Sequence, residues 1–134
     1  MKIAISATGA DIEAGVDPRF GRCAYFITVD PETMKWESAL NEATGFAHGA
    51  GIQAAQTVAG MGVDAVITGN VGPNAHQTLN AAGVRVFTDA QGSIRDAVDA
   101  YREGSLPEAG GPTVGGHSGQ GGGMGSGRGR GRGR

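Results

Sequence analysis

The chain has a single cysteine, no long apolar run and little basic charge, and each shortage removes a class of protein. A lone Cys23 cannot close an internal disulfide, so the fold must rest on its core. Alanine, glycine and charged residues interrupt every hydrophobic segment before the roughly 18 to 20 apolar residues that a membrane span requires. The N-terminus, MKIAISATG, reads as a strand pattern and not as a cleavable leader. The expectation is a cytoplasmic protein with no membrane partner. The formal net charge is -2, and residues 1–102 hold seven Lys/Arg against eleven Asp/Glu. Such an acidic body disfavours a broad nucleic-acid-binding face, although a local basic notch can still attract a small anion.

Several catalytic signatures are missing too. No GxxxxGK[ST] loop is present, which argues against a nucleotide triphosphatase, and there is no Gly-x-Ser-x-Gly elbow. Asp11, Glu13 and Asp17 crowd one loop, and Asp64 sits at the wrong end of its strand for two-metal nucleolytic chemistry. A cysteine with separate histidines could serve as a nucleophile, but no third orienting group stands out. The expectation is that the protein is not an enzyme.

What is present fits one domain, because 134 residues can bury a sufficient core unaided. The composition changes at Gly104: from there onward 14 of 31 residues are glycine, and the chain ends in RGRGRGR. The expected organisation is a domain over 1–103 and a disordered Gly/Arg-rich tail over 104–134. The tail admits two readings, a solubilising extension or an arm for RNA or another anionic partner. It lacks aromatic residues for base stacking, and His117 and Met124 are isolated soft donors within it.

Within 1–103 the periodicities are legible. Residues 2–6 and 25–30 read as strands, and Pro31-Glu32-Thr33 turns the second into a third strand over 35–40. Ile52, Ala55, Val58 and Ala59 form a helical stripe ended by Gly60 and Gly62, and a buried strand follows over 64–68. Gly72-Pro73 opens a second helix that stops at Gly83, and 84–87 is a short strand. Ser93 caps a third helix with Asp96 three residues on, and Gly104 closes it. The order β-β-β-α-β-α-β-α predicts an α/β fold with a five-stranded mixed sheet, three helices, and a ligand crevice at the carboxyl ends of the parallel strands.

Three stretches could line that crevice. In DPRFGRC, Arg19 and Arg22 offer fixed positive charge around Gly21, with Phe20 between them and Cys23 next to them. The competing reading is surface ion pairing with Asp17, a core plug at Phe20 and a small buried residue at Cys23, while the neighbouring arginines would favour thiolate. In GFAHGAGIQAA, His48 precedes Gly49, Ala50 and Gly51 at a helix start suited to anions. Gly49, Gly51 and Ala54 match GxGxxA, but not in the first βα turn that a dinucleotide site needs. In ITGNVGPNAHQTL, Asn70, Gly72, Pro73 and Asn74 follow a strand, and His76 lies in the first helical turn, either facing the crevice or exposed without a role.

Taken together, DPRFGRCAYFITVD, GAGIQAAQTVAGMGVDAVITGNVGPNA and LNAAGVRVF resemble the dinitrogenase iron-molybdenum cofactor biosynthesis family, the NifX-like and NifB-C-terminal-like domains. The resemblance spans most of residues 1–103 and implies a ribonuclease-H-like three-layer fold without nuclease activity. It also implies a carrier or assembly role for iron-molybdenum cofactor, its precursors, or a molybdenum-copper sulfide cluster such as the family's orange-protein members hold non-covalently. Client metalloproteins or assembly proteins would be its partners. On that reading Arg19, Phe20, Gly21, Arg22, Gly49, Ala50, Gly51, Asn70, Gly72, Pro73 and Asn74 line an anion-accepting pocket. Cys23, His48 and His76 are then the donors able to touch a metal. The Gly/Arg tail is no part of the shared domain.

Overall fold

The computed structural model describes residues 1–45 and 49–113. Five strands, β1 (Ile3–Ala7), β2 (Tyr25–Val29), β3 (Trp36–Leu40), β4 (Ala65–Ile67) and β5 (Arg85–Phe87), form one sheet in the order β3-β2-β1-β4-β5. β1 pairs antiparallel with β2 and β2 with β3, while β1, β4 and β5 run parallel. The helices are α1 (Ala50–Gly60), α2 (Pro73–Ala81) and α3 (Ile94–Glu103). The mixed sheet and three helices match the sequence-based expectation, and a 3-10 turn over Glu42–Gly45 adds to it.

Strand alternation sorts the core into two layers. Ala4, Phe26, Val66 and Val86 face α1 and α2, where they meet Ala54, Val58 and Leu79. Ile3, Ile5, Ile27, Ile67 and Phe87 face the other way, against Ile94 and Val98 of α3. Each large aliphatic buried here contributes about 1.5–3 kcal/mol of transfer free energy. Both faces of β1 are therefore covered, and all five of its residues are buried. β3 differs: it is an edge strand whose residues are mostly exposed.

The segment after α3 is better ordered than its composition suggests. Gly104 ends the helix in the left-handed conformation at φ 74°. The chain then runs along β5, where Glu108 bridges Phe87, the Ala109 N–H donates to the Val86 carbonyl, and the Thr88 N–H donates to the Pro107 carbonyl. Arg85 grips Glu108 through Nη2 at 2.7 Å and Nε at 3.1 Å. Residues 105–113 are thus a strap along the sheet, although glycine and proline content places them with the tail. Backbone ladder bonds need no apolar side chains, which is why composition does not report them. The glycine- and arginine-rich stretch 114–134 lies outside the described residues.

Candidate functional site

β1 and β4 are parallel neighbours, so the loops leaving both carboxyl ends emerge on one rim. The chain after β1 loops out and returns through an antiparallel bridge between Ala7 and Val16. Asp17 is buried there: its N–H donates to the Ser6 carbonyl at 2.9 Å, and Ser6 Oγ donates back to the Asp17 carbonyl at 2.6 Å. Ser6 Oγ is also hydrogen-bonded to Thr68 Oγ1 at 2.7 Å, tying β1 to the end of β4.

From Asp17 the loop crosses the rim. The Pro18 carbonyl accepts the Asn70 N–H at 2.8 Å. A Cβ on Gly69 would stand 2.6 Å from Pro18 Cα, and one on Gly21 would stand 2.9 Å from Gly51 Cα. Only glycine permits these backbone approaches. At Gly51 a Cβ would meet that of Ala75 at 3.6 Å, so the starts of α1 and α2 also adjoin. Three segments distant in sequence therefore meet in backbone contact: 17–23, the start of α1, and the β4–α2 turn.

The charge at this rim is held in place. Asp17 Oδ1 accepts from the Arg19 N–H at 2.9 Å, and the carboxylate takes Nε and Nη2 of Arg19 at 3.3 Å each. The Arg19 side chain remains 68% exposed, and Asp17 raises its already high pKa further, so its charge is constant. Arg22 is exposed beside it. Gly49, left-handed at φ 75°, and Gly72 occupy the N-cap positions of α1 and α2 and offer no side-chain acceptor. A helix leaves its first N–H groups without intrahelical acceptors, and its N-terminus favours anions. Pro73 fills the first position of α2, and Asn70 and Asn74 are exposed nearby.

Several other expected site residues have their side chains engaged within the fold. Phe20 is a core residue, its ring 5.2 Å from that of Phe26, and the Ala50 side chain is buried. Cys23 is fully buried, its Sγ donating to the Phe20 carbonyl at 3.3 Å. Burial pushes its thiol up to about 12, so the two arginines do not produce a thiolate. Their side chains lie on the exposed side of the loop while Sγ points into the core. His76 is half-buried and its Nε2 lies 3.1 Å from the Ala109 carbonyl. A carbonyl only accepts, so that nitrogen carries the proton, and the ring is fastened to the strap. His48 lies outside the described residues.

Several residues that shape the rim carry little sequence signal. Asn41 Nδ2 donates to the carbonyls of Cys23 at 2.8 Å and Gly21 at 3.3 Å, and its Oδ1 accepts from the Ala43 N–H. Asparagine directly after a strand hints at such a turn. Thr113 exchanges backbone and hydroxyl bonds with Val71 and lies 3.5 Å from Asn70 Oδ1, ending the strap at the rim. Among the described residues, no group of three or more His, Cys, Asp or Glu side chains is arranged to hold a bare metal ion. No helix among the described residues is long and apolar enough to cross a membrane.

Comparison with known proteins agrees with this architecture. The chain is similar to the apo form of the orange protein from Desulfovibrio gigas, with a TM-score of 0.81, 44% identity, and coverage of 84% of this chain and 95% of that one. A candidate NifB protein from Thermotoga, of the DUF35 family, superposes with a TM-score of 0.70 at 40% identity, covering 80% of this chain and 91% of that one. An uncharacterised protein of Methanocaldococcus jannaschii is 34% identical over 94 residues, 68% of this chain and 80% of its own length. The family model described as dinitrogenase iron-molybdenum cofactor matches residues 1–104. The chain belongs to the dinitrogenase iron-molybdenum cofactor family.

Proposed function

We propose that this protein is a non-catalytic carrier or assembly platform for an anionic, molybdenum-containing metal–sulfide cluster, held at the rim of the sheet. The observation that carries this reading is the backbone contact of Gly21 with Gly51 and of Gly69 with Pro18. It brings the loop that carries Arg19 and Arg22 against the start of α1 and the turn leading into α2, helices that have glycine in place of a capping side chain. Among the described residues no side-chain group is arranged to cage a bare ion, so a cluster that brings its own sulfide ligands suits this rim. What it then needs from the protein is positive charge and N–H donors, whose bonds to an anion are roughly twice as strong as neutral ones.

The residues fit such cargo. Arg19 presents the guanidinium edge not taken by Asp17, Arg22 adds a second charge, and the N–H groups from Ala50 and Gly51 onward supply the opposite wall. The Asn70 and Asn74 amides are within the same neighbourhood, where they can donate to sulfide or oxo groups. Cys23 serves as a core residue under the loop, and His76 serves to anchor the strap. The family's description, dinitrogenase iron-molybdenum cofactor, links this fold to molybdenum-containing cargo, and that link is extended here to this chain.

The test is spectroscopic. Tetrathiomolybdate and a copper salt added to the apo protein should give intense visible charge-transfer bands that co-migrate with the protein on gel filtration. Arg19→Ala combined with Arg22→Ala should lower the bound fraction by roughly tenfold or more, the equivalent of about 1.4 kcal/mol or above. Colour that never co-migrates, or equal loading of the double variant, would defeat the proposal. Removing residues 114–134 should leave the bands in place, whereas RNA retention lost with that tail would favour a nucleic-acid adaptor.

A further inference from the structure

The two edges of the sheet are treated differently. The outer edge of β5 is covered by the strap, through the Val86–Ala109 and Thr88–Pro107 backbone bonds. β3 pairs with β2 on one side, and among the described residues no strand pairs with it on the other. Open edges usually carry proline, bulges or several charges that block pairing with another chain. The run Trp36-Glu37-Ser38-Ala39-Leu40 has one charge and no proline or glycine, and its register with β2 is uninterrupted. Two of the three exposed large hydrophobic residues, Trp36 at 38% and Leu40 at 60%, lie on this strand.

The ladder fixes which groups face outward. The Asp30 N–H donates to the Lys35 carbonyl and the Asn41 N–H to the Ala24 carbonyl. Hydrogen-bonded and non-hydrogen-bonded pairs alternate in an antiparallel ladder. Lys35, Glu37, Ala39 and Asn41 therefore turn their backbone groups toward β2, and Trp36, Ser38 and Leu40 turn theirs to the open edge.

We propose that β3 is a homodimerisation edge, on which a second copy of this chain pairs antiparallel with the two Ser38 residues opposite each other. In that register every outward N–H and C=O of Trp36, Ser38 and Leu40 meets a partner. Trp36 and Leu40 are equidistant from Ser38, so Trp36 lies beside the partner subunit's Leu40 on the α3 face, and the reverse pair follows by symmetry. On the other face Glu37 lies beside the partner subunit's Ala39 and Lys35 beside the partner subunit's Asn41, so no like charges stand directly opposite. This self-complementarity selects a second copy over an unrelated strand. The contact is small, which places it among weak, concentration-dependent interfaces of under about 1,200 Å².

The test uses the full chain. Sedimentation equilibrium up to about 1 mM, a range suited to weak interfaces, should show the 13.4 kDa protein moving toward twice its mass. Leu40→Lys should raise the dissociation constant by roughly tenfold or more, because both symmetric Trp–Leu pairs are lost together. Ser38→Pro should do the same while keeping the β2–β3 pairing, since its missing N–H faces the edge. Amide exchange is the sharper readout: protection of Trp36, Ser38 and Leu40 should rise with concentration, while Glu37 and Ala39 stay constant. A mass that stays monomeric throughout, or association unchanged in Leu40→Lys, overturns the proposal. So does edge protection independent of concentration, which would assign the edge to a segment of the same chain.

Discussion

Helices α1 and α2 start on Gly49 and Gly72, whereas α3 starts on Ser93 with its capping box closed by Asp96. The contrast extends through both layers. On the α1/α2 side the helices bury mainly alanine, with Val58 and Leu79 as their largest buried side chains, and the neighbouring backbones come close enough to exclude a Cβ at Gly21 and Gly69. On the α3 side isoleucines and Phe87 fill the space, and Phe87 meets Tyr101 edge-on at 5.1 Å. The α3 layer satisfies its own helix start and acts as scaffold. In the α1/α2 layer both helices start on glycine with no side-chain cap, the arrangement that the proposed ligand rim uses.

The largest effect that should sharpen this contrast is alkaline. Folded Cys23 keeps its proton to about 12, while the thiol of the unfolded chain releases it near 9.0. Above that lower value the unfolded state binds fewer protons, so stability is whole below pH 9 and falls as pH rises toward 12, by about 4 kcal/mol. Denaturant titrations of wild type and Cys23→Ala should diverge over that window and run parallel below it. A thiol that reacts rapidly with iodoacetamide in the native protein at pH 8 would refute the buried placement.

Next in size is Gly69→Ala, which forces the β4–α2 turn away from Pro18 and should cost about 1–3 kcal/mol. Cluster loading should drop with it. Unfolding measurements alongside the visible spectrum check both, and unchanged values of the two would mean that the loops do not meet as described. The smallest effects separate the two kinds of helix start. Ser93→Ala should lose about 1 kcal/mol of stability with cluster binding intact, whereas Gly72→Ser should gain a few tenths and weaken binding, by giving α2 the acceptor that the ligand would replace. Binding that falls in the first variant and holds in the second would reverse the assignment of rim and scaffold.

Much of this could be read locally. Ser93 and Asp96, Pro73 after Gly72, and Gly104 marked helix ends correctly because caps and stops depend on neighbours within one turn. Alternation in β1 and β2 likewise reports the faces of single strands. Phe20 and Cys23 were ambiguous, because their burial depends on how the 17–23 loop lies over Phe26 and the first core layer. His76 carried no local sign of Ala109, which is far along the chain.

By itself, then, the sequence determined the kind and order of the elements and the glycine-bracketed segments with arginine beside them, since these follow from spacing within a few residues. Tertiary structure alone decided that Gly21 reaches Gly51, that Gly69 reaches Pro18, that the strap seals β5 and that β3 has, among the described residues, a strand on one side only. These are contacts between segments distant in sequence, fixed by strand order and layer packing, and no local periodicity encodes them.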